Sequence, residues 1–423
     1  MNLKSYGHAT LSLEYEGKPL IITDPWLIGS CYWRSWWLQH YPSKADLSVL
    51  SRTDNIFLTH EHWDHAHFPT LKKYFLNKKI LIPKFNSKRL RDTLKTNFKV
   101  EEINPNEWIN LKDISYMSIP LYNDDSILLI KYDRYLICNI NDSKPTPQII
   151  NRISEFKKLN NLDIILLQSY APASINNSFR KLNAKKIIIK SKENYINYVM
   201  SICRKLDAKY FVPFASQAIF SRPDSKWANE FKISWNDLND IWNIKTSLLK
   251  SYIDFNLDDI KYDTYVNHYI KSEKMQELSD LKYNNNKNIE INFKDFEYFT
   301  KIVNPIKYLL YVIFPTGINF NLSGNYFRYF FLKKKFVKME NKPKNYLEMP
   351  VNEFIESSKN CQFTDLGTSF VMKIYINSKI NILQTYLLFI FLTFSEKGYF
   401  SNYKNLFKQI ILIFKNFFPK KIF

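Results

Sequence analysis

The segment Asn55–His67 concentrates the side chains that are best suited to chemistry. An apolar run is followed there by His60, His62, Asp64 and His65. Because side chains two positions apart on an extended chain project to the same side, His60 and His62 face one point. Asp64 and His65 follow where the chain turns, so they can reach that point from another direction. Imidazoles and a carboxylate at this density are typical of metal sites, and we expect one or two divalent ions (Zn, Fe or Mn).

Such a metal site predicts a hydrolase. Water bound to a metal ion loses a proton near neutral pH, which supplies a hydroxide nucleophile. Asp64 is the candidate catalytic residue, since it can orient this hydroxide and accept its proton. The sequence contains neither a GxSxG motif nor a P-loop, so serine hydrolysis and nucleoside-triphosphate chemistry have no support. We therefore expect hydrolysis of a phosphodiester, lactone or amide bond without a protein nucleophile.

The elements that must position this cluster are alternating short strands and helices over residues 1–225. Apolar runs of strand length include Leu11–Tyr15, Asn55–Leu58 and Ile127–Tyr132, and helical patterns lie between such runs, as at Ile149–Leu159. Helices that alternate with strands in this way cover the faces of sheets. The expected fold class is therefore α/β.

The rest of the chain divides into two further parts by composition. Residues 226–285 look helical and rich in charge, and the polar run Tyr283–Asn288 at their end is the best candidate for a linker. Residues 286–423 are aromatic and basic, and we expect them to form a smaller α+β C-terminal domain. The apolar run Tyr386–Phe394 has about half the ~20 residues that a bilayer span needs, which favours a core helix.

The charge of the chain bears on its partners. The 423 residues carry a formal net charge of +20, and Lys301–Phe423 holds 18 Lys and Arg against 6 Asp and Glu. This basic end favours an anionic small molecule or a sugar phosphate as the substrate, while a solvated lysine-rich surface stays open as the alternative. No RNA- or DNA-binding module is visible, so a nucleic acid is not the expected partner.

Two features bear on where the protein works. The start of the chain lacks an apolar signal core, which predicts a cytoplasmic location. Near the other end, a helix over Asn405–Phe418 would place large apolar residues on one face, with Lys408 and Lys415 opposite. Such a helix can contact a membrane peripherally, or its apolar face can pack against its own domain.

The pattern HxHxDH after an apolar strand resembles that of the metallo-β-lactamase superfamily, and the histidine cluster matches it in full. Tyr6–Ala9 and Ile21–Trp26 are similar to the N-terminal signature of its lactonase-like and phosphodiesterase-like branches. Tyr135–Asp142 is similar to the strand that ends in the bridging aspartate of the superfamily.

This resemblance implies an αββα sandwich with metals at one edge of its two sheets. It implies that His60 and His62 bind one metal, and that Asp64 and His65 bind the other. Asp142 would bridge the two ions.

The sequence departs from the superfamily pattern at two positions. No histidine occurs between His67 and His268, where the superfamily usually supplies two more ligands, and Pro213–Ser216 takes the place of the second. Oxygen ligands can replace nitrogen, with Asp124 or Asp125 as the candidate at the first position. Alternatively, only one metal binds well, and these two aspartates only form a turn between strands.

A narrower resemblance is to the metallo-β-lactamase part of the CMP-N-acetylneuraminate hydroxylase family and its bacterial relatives. The segments that carry it are Asp125–Tyr132, Asn141–Pro145, Val212–Ser216, Met349–Phe354 and Phe363–Gly367. Hydroxylases of that group carry a Rieske iron–sulfur domain, which needs paired CxH and CxxH motifs, and the sequence has no such pair. A second hypothesis is therefore a non-haem iron oxygenase that acts on a nucleotide-sugar or glycan precursor with a separate electron donor. A non-catalytic binding protein on the same scaffold is the third.

Residues outside the cluster are candidates for supporting roles. His8 and Asp24 can stand behind a ligating histidine and fix its tautomer and orientation, although Asp24 can instead cap the loop before Pro25. A tryptophan-rich segment suits the stacking of a sugar or base beside an anionic group, although aromatic residues are also common in cores. The substrate-binding side chains expected there are Trp26, Trp33, Arg34, Trp36 and Trp37. Arg222 and Lys226 are further candidates for binding a phosphate.

Overall fold

The structure, a computed structural model, describes residues 1–171, 178–181, 191–259, 261–264 and 293–417. The expected linker Tyr283–Asn288 lies outside the described residues, so its role stays a prediction.

Strands and short helices alternate along the described chain up to Thr264. The strands are β1 (Asn2–Tyr6), β2 (Thr10–Tyr15), β3 (Lys18–Thr23), β4 (Ser30–Cys31), β5 (Trp36–Leu38), β6 (Asn55–Phe57), β7 (Lys79–Pro83), β8 (Lys99–Ile103), β9 (Ile109–Leu111), β10 (Ile114–Pro120), β11 (Ser126–Tyr132), β12 (Tyr135–Asn141), β13 (Asp163–Ser169), β14 (Phe179–Lys181), β15 (Tyr210–Phe214), β16 (Ala218–Phe220), β17 (Ser247–Leu248), β18 (Ile253–Asn256) and β19 (Lys261–Thr264). The helices are α1 (Lys44–Leu50), α2 (Phe68–Tyr74), α3 (Arg89–Lys95), α4 (Pro147–Leu159), α5 (Lys192–Leu206) and α6 (Trp235–Ile241).

Two sheets face each other and form a sandwich. One has the strand order β19-β18-β1-β2-β3-β6-β7-β8 and the other β17-β15-β13-β12-β11-β10-β9. Apolar side chains from both sheets, such as Leu13, Phe57, Ile137 and Val212, fill the space between them. Helices α1 to α3 cover the outer face of the first sheet, and α4 and α5 cover that of the second. This αββα arrangement confirms the fold class expected from the sequence.

Among the described residues of the segment 226–285, helices occur only in its first part. After α6, β17 pairs in parallel with β15, and β18 pairs antiparallel with β1. Ile253, Phe255 and Leu257 are buried, while the residues between them are partly exposed. This alternation has the two-residue period of a strand. The many charged residues around it favoured a helical interpretation of the segment. The sandwich therefore extends to Thr264, beyond the boundary expected at residue 225.

From Phe293 onward the described chain forms a smaller α+β part, as expected. Its strands are β20 (Ile318–Leu322), β21 (Asn325–Phe330), β22 (Lys335–Lys338), β23 (Tyr346–Met349) and β24 (Lys373–Ile376), and its helices are α7 (Glu297–Val303), α8 (Lys307–Ile313), α9 (Val351–Lys359), α10 (Asp365–Thr368), α11 (Lys379–Glu396) and α12 (Tyr403–Phe417). Phenylalanine rings fill its core, where Phe299, Phe336 and Phe354 pack against one another.

One strand of this smaller part comes from the first half of the chain. The sheet has the order β14-β24-β23-β20-β21-β22, with Phe179 of β14 aligned with Ile374 of β24. Phe179 is fully buried in the same aromatic core. The expected domains 1–225 and 286–423 are therefore joined through a shared sheet.

The apolar run Tyr386–Phe394 lies within α11, where Leu388 and Leu392 are buried in the core. It is thus a core helix, as expected. Within the parts of the chain that the structure describes, no helix has both the length and the apolar character needed to cross a membrane.

Candidate metal centre

Loops from both sheets meet at one edge of the sandwich. Because β3 and β6 run in parallel, as do β12 and β13, the chain leaves these strands at the same edge. The loops after β1, β3, β6 and β12, and the turn between β10 and β11, bring together His8, Asp24, His60, His62, Asp64, His65, Asp125 and Asp142.

A first group of potential ligands consists of His60, His62 and Asp125, whose ligand atoms all lie within 4.8 Å of one another. His60 Nε2 is 2.9 Å from His62 Nδ1. Burial, together with the nearby charge of Asp142, raises the pKa of Asp125 to about 6. Asp125 thus offers an oxygen ligand at the position where the superfamily pattern lacks its first histidine.

Asp142 stands between the histidines of the cluster. Its Oδ1 lies 3.7 Å from His60 Nε2 and 3.6 Å from His65 Nε2. A third of this side chain is exposed to solvent, whereas His60 and His65 are almost fully buried. Asp142 can therefore contact ions held on either side of it, and the site opens to solvent next to it.

Asp24 supports His65 from behind. Its carboxylate accepts hydrogen bonds from the Thr59 amide (2.7 Å) and hydroxyl (2.6 Å) and from the Asn141 amide, and it lies 3.0 Å from His65 Nδ1. A proton on Nδ1 leaves His65 Nε2 free to coordinate a metal. Burial alone would lower the pKa of His65, but the surrounding carboxylates, Asp64 first, hold it well above its usual range.

Replacing Asp24 by asparagine is expected to weaken metal binding about 10- to 100-fold, because an amide no longer fixes the tautomer of His65. Competition with a chelator for the bound ion measures this affinity. Asp54→Asn is the matched control, since Asp54 is exposed and pairs only with lysines at the far end of β6. An Asp24 variant with the affinity of this control would contradict the role of Asp24.

The chemistry of the donor set fits a divalent metal ion. His65 Nε2 and Asp142 Oδ1 are buried polar atoms with no hydrogen-bond partner in the described parts of the chain. Such atoms are rare in folded proteins unless an ion or a water satisfies them. Imidazole nitrogens mixed with carboxylate oxygens suit Zn, Fe or Mn.

Both carboxylate oxygens of Asp64 already have partners, which does not suit a residue that accepts a proton. The Tyr32 hydroxyl donates to its Oδ1 at 2.7 Å, and its Oδ2 lies 3.2 Å from His8 Nε2. Burial alone would raise the pKa of Asp64, but His65 and His8 hold it well below its usual range. These contacts favour a ligand over the general base that the sequence suggested, and nothing in the sequence pointed to Tyr32.

His8 has a larger part than the supporting one expected. With Asp64 and His65 it forms a group whose ligand atoms lie within 4.8 Å of one another. The amide of Ala215 donates to the His8 carbonyl at 2.9 Å, so His8 adjoins the segment that lacks the second superfamily histidine. Glycine at position 7 lets the backbone before His8 pass close to Trp26, because a Cβ there would lie 2.8 Å from the Trp26 carbonyl oxygen. His8 can therefore take the place of the missing ligand.

Asp124 is not a metal ligand in this arrangement. The Tyr399 hydroxyl donates to its Oδ1 at 2.7 Å, and Lys397 Nζ lies 3.2 Å from its Oδ2. Lys397 also donates to the Asn123 carbonyl and pairs with Glu61 at 3.6 Å. The smaller part of the protein therefore holds the turn that precedes Asp125 and the motif residue between His60 and His62.

Trp26, Trp36 and Trp37 are at most 7% exposed, which does not favour the substrate-binding role expected for them. Trp26 and Trp36 pack in a cluster that includes Phe220 and Phe370. The Trp37 ring nitrogen donates to the Arg34 carbonyl at 2.9 Å. Trp33 is partly buried with its ring 4.9 Å from that of Trp63, and Arg34 is exposed. The substrate roles of Trp33 and Arg34 stay predictions.

Of the two phosphate candidates, the side chain of Arg222 is already engaged. It is buried, pairs with Asp224 (2.8 Å) and Glu353 (2.6 Å), and donates to the Trp33 carbonyl. It links the two parts of the protein, so its role as a phosphate ligand is not supported. Lys226 is exposed.

A cavity of about 620 Å³ lies beside the same edge of the sandwich. Three lysines and one aspartate line it: Lys192, Lys232, Lys250 and Asp237. Among the described residues, Lys232 has no carboxylate partner, and its ammonium donates only to Gln39 at 3.5 Å. Burial lowers the pKa of Lys232 to about 8. Lys232 also borders a small void that reaches His8.

Comparison with known families agrees with this geometry. Residues 2–132 match the beta-lactamase superfamily domain. The chain is 27% identical over 250 residues to the cytidine monophosphate-N-acetylneuraminic acid hydroxylase of Sus scrofa, covering 56% of each protein. It is also 27% identical over 250 residues to the inactive human protein of that name, covering 49% of it. The chain thus spans about half the length of the curated relatives that it matches.

Solved structures of this type show low overall similarity. The isothiocyanate hydrolase from Delia radicum gut bacteria is 13% identical with a TM-score of 0.42, covering 63% of this chain and 99% of that one. CmlA, a diiron beta-hydroxylase from Streptomyces venezuelae, is 17% identical with a TM-score of 0.34, covering 51% of this chain and 44% of that one.

Proposed function

We infer that this chain, which contains a metallo-β-lactamase superfamily domain, is a metal-dependent hydrolase that acts on an anionic small molecule or sugar phosphate. The bond cleaved is a phosphodiester, lactone or amide. The observation that carries the proposal is the convergence of four histidines and three aspartates on one solvent-connected edge. Three of their buried polar atoms, on His8, His65 and Asp142, have no hydrogen-bond partner among the described residues.

The side chains divide the work by position. His60, His62 and Asp125 would hold one ion, His8, Asp64 and His65 would hold a second, and Asp142 lies next to both groups. When bound, these ions polarise the substrate and lower the pKa of water at the site to near neutrality. Asp24 fixes the orientation of His65, and Tyr32 fixes that of Asp64. The exposed side of Asp142 is where water and substrate enter.

The lysine-lined cavity supplies the anion site. With Lys192 paired to Asp237, Lys232 and Lys250 remain as the two positive charges without a carboxylate partner among the described residues. A partly buried ammonium attracts a phosphate or carboxylate more strongly than an exposed one, because the local dielectric is lower. We propose that the charged end of the substrate binds there while its reactive bond faces the metals.

Replacing Lys232 by methionine is expected to weaken binding of inorganic phosphate about tenfold. In the unmodified protein this binding should decline as the pH rises through about 8, because Lys232 then loses its proton. Calorimetric titration between pH 7 and pH 9 measures both effects. The exposed Lys226, changed to methionine, is the control. Equal affinities for the two variants would rule out Lys232 as the anion ligand.

The direct test of the proposed hydrolase combines metal analysis with a substrate panel. The purified protein is expected to retain one or two equivalents of metal and to cleave at least one phosphodiester, lactone or amide. Retained metal without turnover of any member of the panel would favour the non-catalytic binding protein instead.

A second candidate function is a non-haem iron oxygenase that acts on a nucleotide sugar or glycan precursor. Three aspartates among the candidate ligands favour this function, because carboxylates suit Fe(II). The curated relatives are named as hydroxylases, which also favours it. Because the sequence has no paired CxH and CxxH motifs, this reaction needs a separate electron donor. Bound iron with oxygen uptake in the presence of reductant and substrate supports the oxygenase. Zinc alone supports the hydrolase.

A further inference from the structure

Helix α12 packs against the protein through its polar side. Gln409 and Asn416 are at most 6% exposed. Gln409 donates to the Tyr122 carbonyl at 2.6 Å and accepts a hydrogen bond from Asn86 at 2.8 Å. The Tyr122 amide donates to the Asn416 side chain at 3.1 Å, and the Thr146 hydroxyl donates to its carbonyl at 2.6 Å. The helix is therefore fixed to the sandwich by hydrogen bonds.

Most of the large apolar side chains of the same helix are exposed, although Leu406, Leu412 and Ile413 are partly buried and the Phe417 ring contacts that of Tyr122. Those at least 37% exposed are Tyr403, Phe407, Ile410, Ile411, Phe414 and Phe417. An amphipathic helix at the surface of a soluble protein normally buries such residues and exposes its polar ones. Phe407, Ile410 and Phe414 therefore do not pack against their own domain in the way expected for this face.

The lysines of α12 occupy a third sector of its circumference. At about 100° per residue, the exposed apolar side chains span an arc of about 120°. Lys404, Lys408 and Lys415 lie together at one border of this arc, and Gln409 and Asn416 lie on the far side. An apolar arc bordered by lysines and opposite the protein body matches a helix lying in the interface of a lipid bilayer.

The charge near α12 indicates which partner can cover its exposed apolar face. From Lys404 to Phe423 the sequence contains five lysines and no aspartate or glutamate. A second copy of the chain on this face would bring like charges together, which disfavours dimerisation. Anionic lipid headgroups complement the lysines, and the acyl region accepts the aromatic and branched side chains.

We propose that α12 binds the surface of an anionic membrane, with its apolar arc inserted below the headgroups and Lys404, Lys408 and Lys415 at their level. The helix lies on the membrane and does not cross it. Since Gln409 and Asn416 hold Tyr122, close to Asp125, membrane binding places the metal edge near the bilayer. The proposal does not depend on which reaction the metal centre performs.

Co-sedimentation of the full chain with vesicles tests this surface. We expect binding to phosphatidylcholine vesicles that contain about 40% phosphatidylglycerol and much weaker binding to pure phosphatidylcholine. The variant K404Q/K408Q/K415Q should bind the anionic vesicles roughly 100-fold more weakly, at about fivefold for each lysine. The variant F407S/F414S should lose a similar factor, because two phenylalanines no longer leave water.

Leu159→Ser is the control for removing an exposed apolar side chain, since Leu159 is 86% exposed at the end of α4. It should bind vesicles like the unmodified protein, and circular dichroism should show all variants folded. Failure of the unmodified protein to bind anionic vesicles would overturn the proposal. A dimer in solution that F407S/F414S converts to a monomer, without vesicle binding, would assign the face to a second copy instead. Loss of hydrolase activity alone would not bear on this surface.

Discussion

Replacing Asp142 by alanine is expected to remove at least one metal equivalent and to lower activity more than about 100-fold. The reason is geometric, because Asp142 Oδ1 lies 3.6 Å from His65 Nε2 and 3.7 Å from His60 Nε2. No other carboxylate among the described residues lies within 4 Å of both histidines. Its loss therefore affects both candidate ions and the solvent-facing side of the centre.

Elemental analysis and turnover of the best substrate measure the two effects of the Asp142 variant separately. Asp113→Ala is the control, since Asp113 is exposed in the turn between β9 and β10. Unchanged metal content in the Asp142 variant would mean that the imidazoles alone hold the ions. Lost activity with full metal content would assign Asp142 to the reaction rather than to metal binding.

Replacing Lys397 by methionine is expected to lower the free energy of unfolding by about 3–5 kcal/mol. Lys397 is 10% exposed, and its ammonium faces Asp124 at 3.2 Å and Glu61 at 3.6 Å. Burial alone would lower the pKa of Lys397, but these carboxylates hold it above its usual value. Without the ammonium, Asp124 and Glu61 remain buried with less compensation, and the Asn123 carbonyl loses a donor.

The same Lys397 variant is expected to bind metal more weakly, because Asp124 directly precedes Asp125. Cobalt(II) titration followed by absorption reports the coordination around the ion, and denaturant unfolding reports the stability. Lys404→Met, an exposed change in the same part of the protein, is the control. Adding Asp124→Asn to the Lys397 variant should recover part of the lost stability, since it removes an uncompensated buried charge. No recovery would mean that the pairing is not what stabilises this contact.

The features that could be predicted from the sequence are those set by short distances along the chain. His60, His62, Asp64 and His65 follow one strand within a few residues, so their short separation along the chain keeps them together. The α/β class follows from the alternation of strands and helices, because each apolar face must be covered by another element. The αββα arrangement and the place of Asp142 were implied by the resemblance to the metallo-β-lactamase superfamily.

The features that could not be predicted depend on contacts between distant segments. His8 lies at the centre beside Ala215, and the Ala215 amide donates a hydrogen bond to the His8 carbonyl. These two residues are far apart in the sequence. Trp36 is buried partly by Phe370, which the smaller part supplies. The choice between Asp124 and Asp125 was open in the sequence because Lys397, which engages Asp124, lies far along the chain. Local patterns carry no information on such partners.

The sharing of β14 with the smaller sheet has a consequence for biosynthesis. Phe179 leaves the ribosome long before Ile374, its neighbour across the strand pair. The aromatic core therefore cannot close until nearly the whole chain has been translated, and contacts of such long range slow folding. In a shortened polypeptide that starts after β14, β24 would be an unpaired edge strand that can form hydrogen bonds with strands of other molecules. Expression of the C-terminal part alone should accordingly yield inclusion bodies, whereas the intact polypeptide carries its own edge-covering strand.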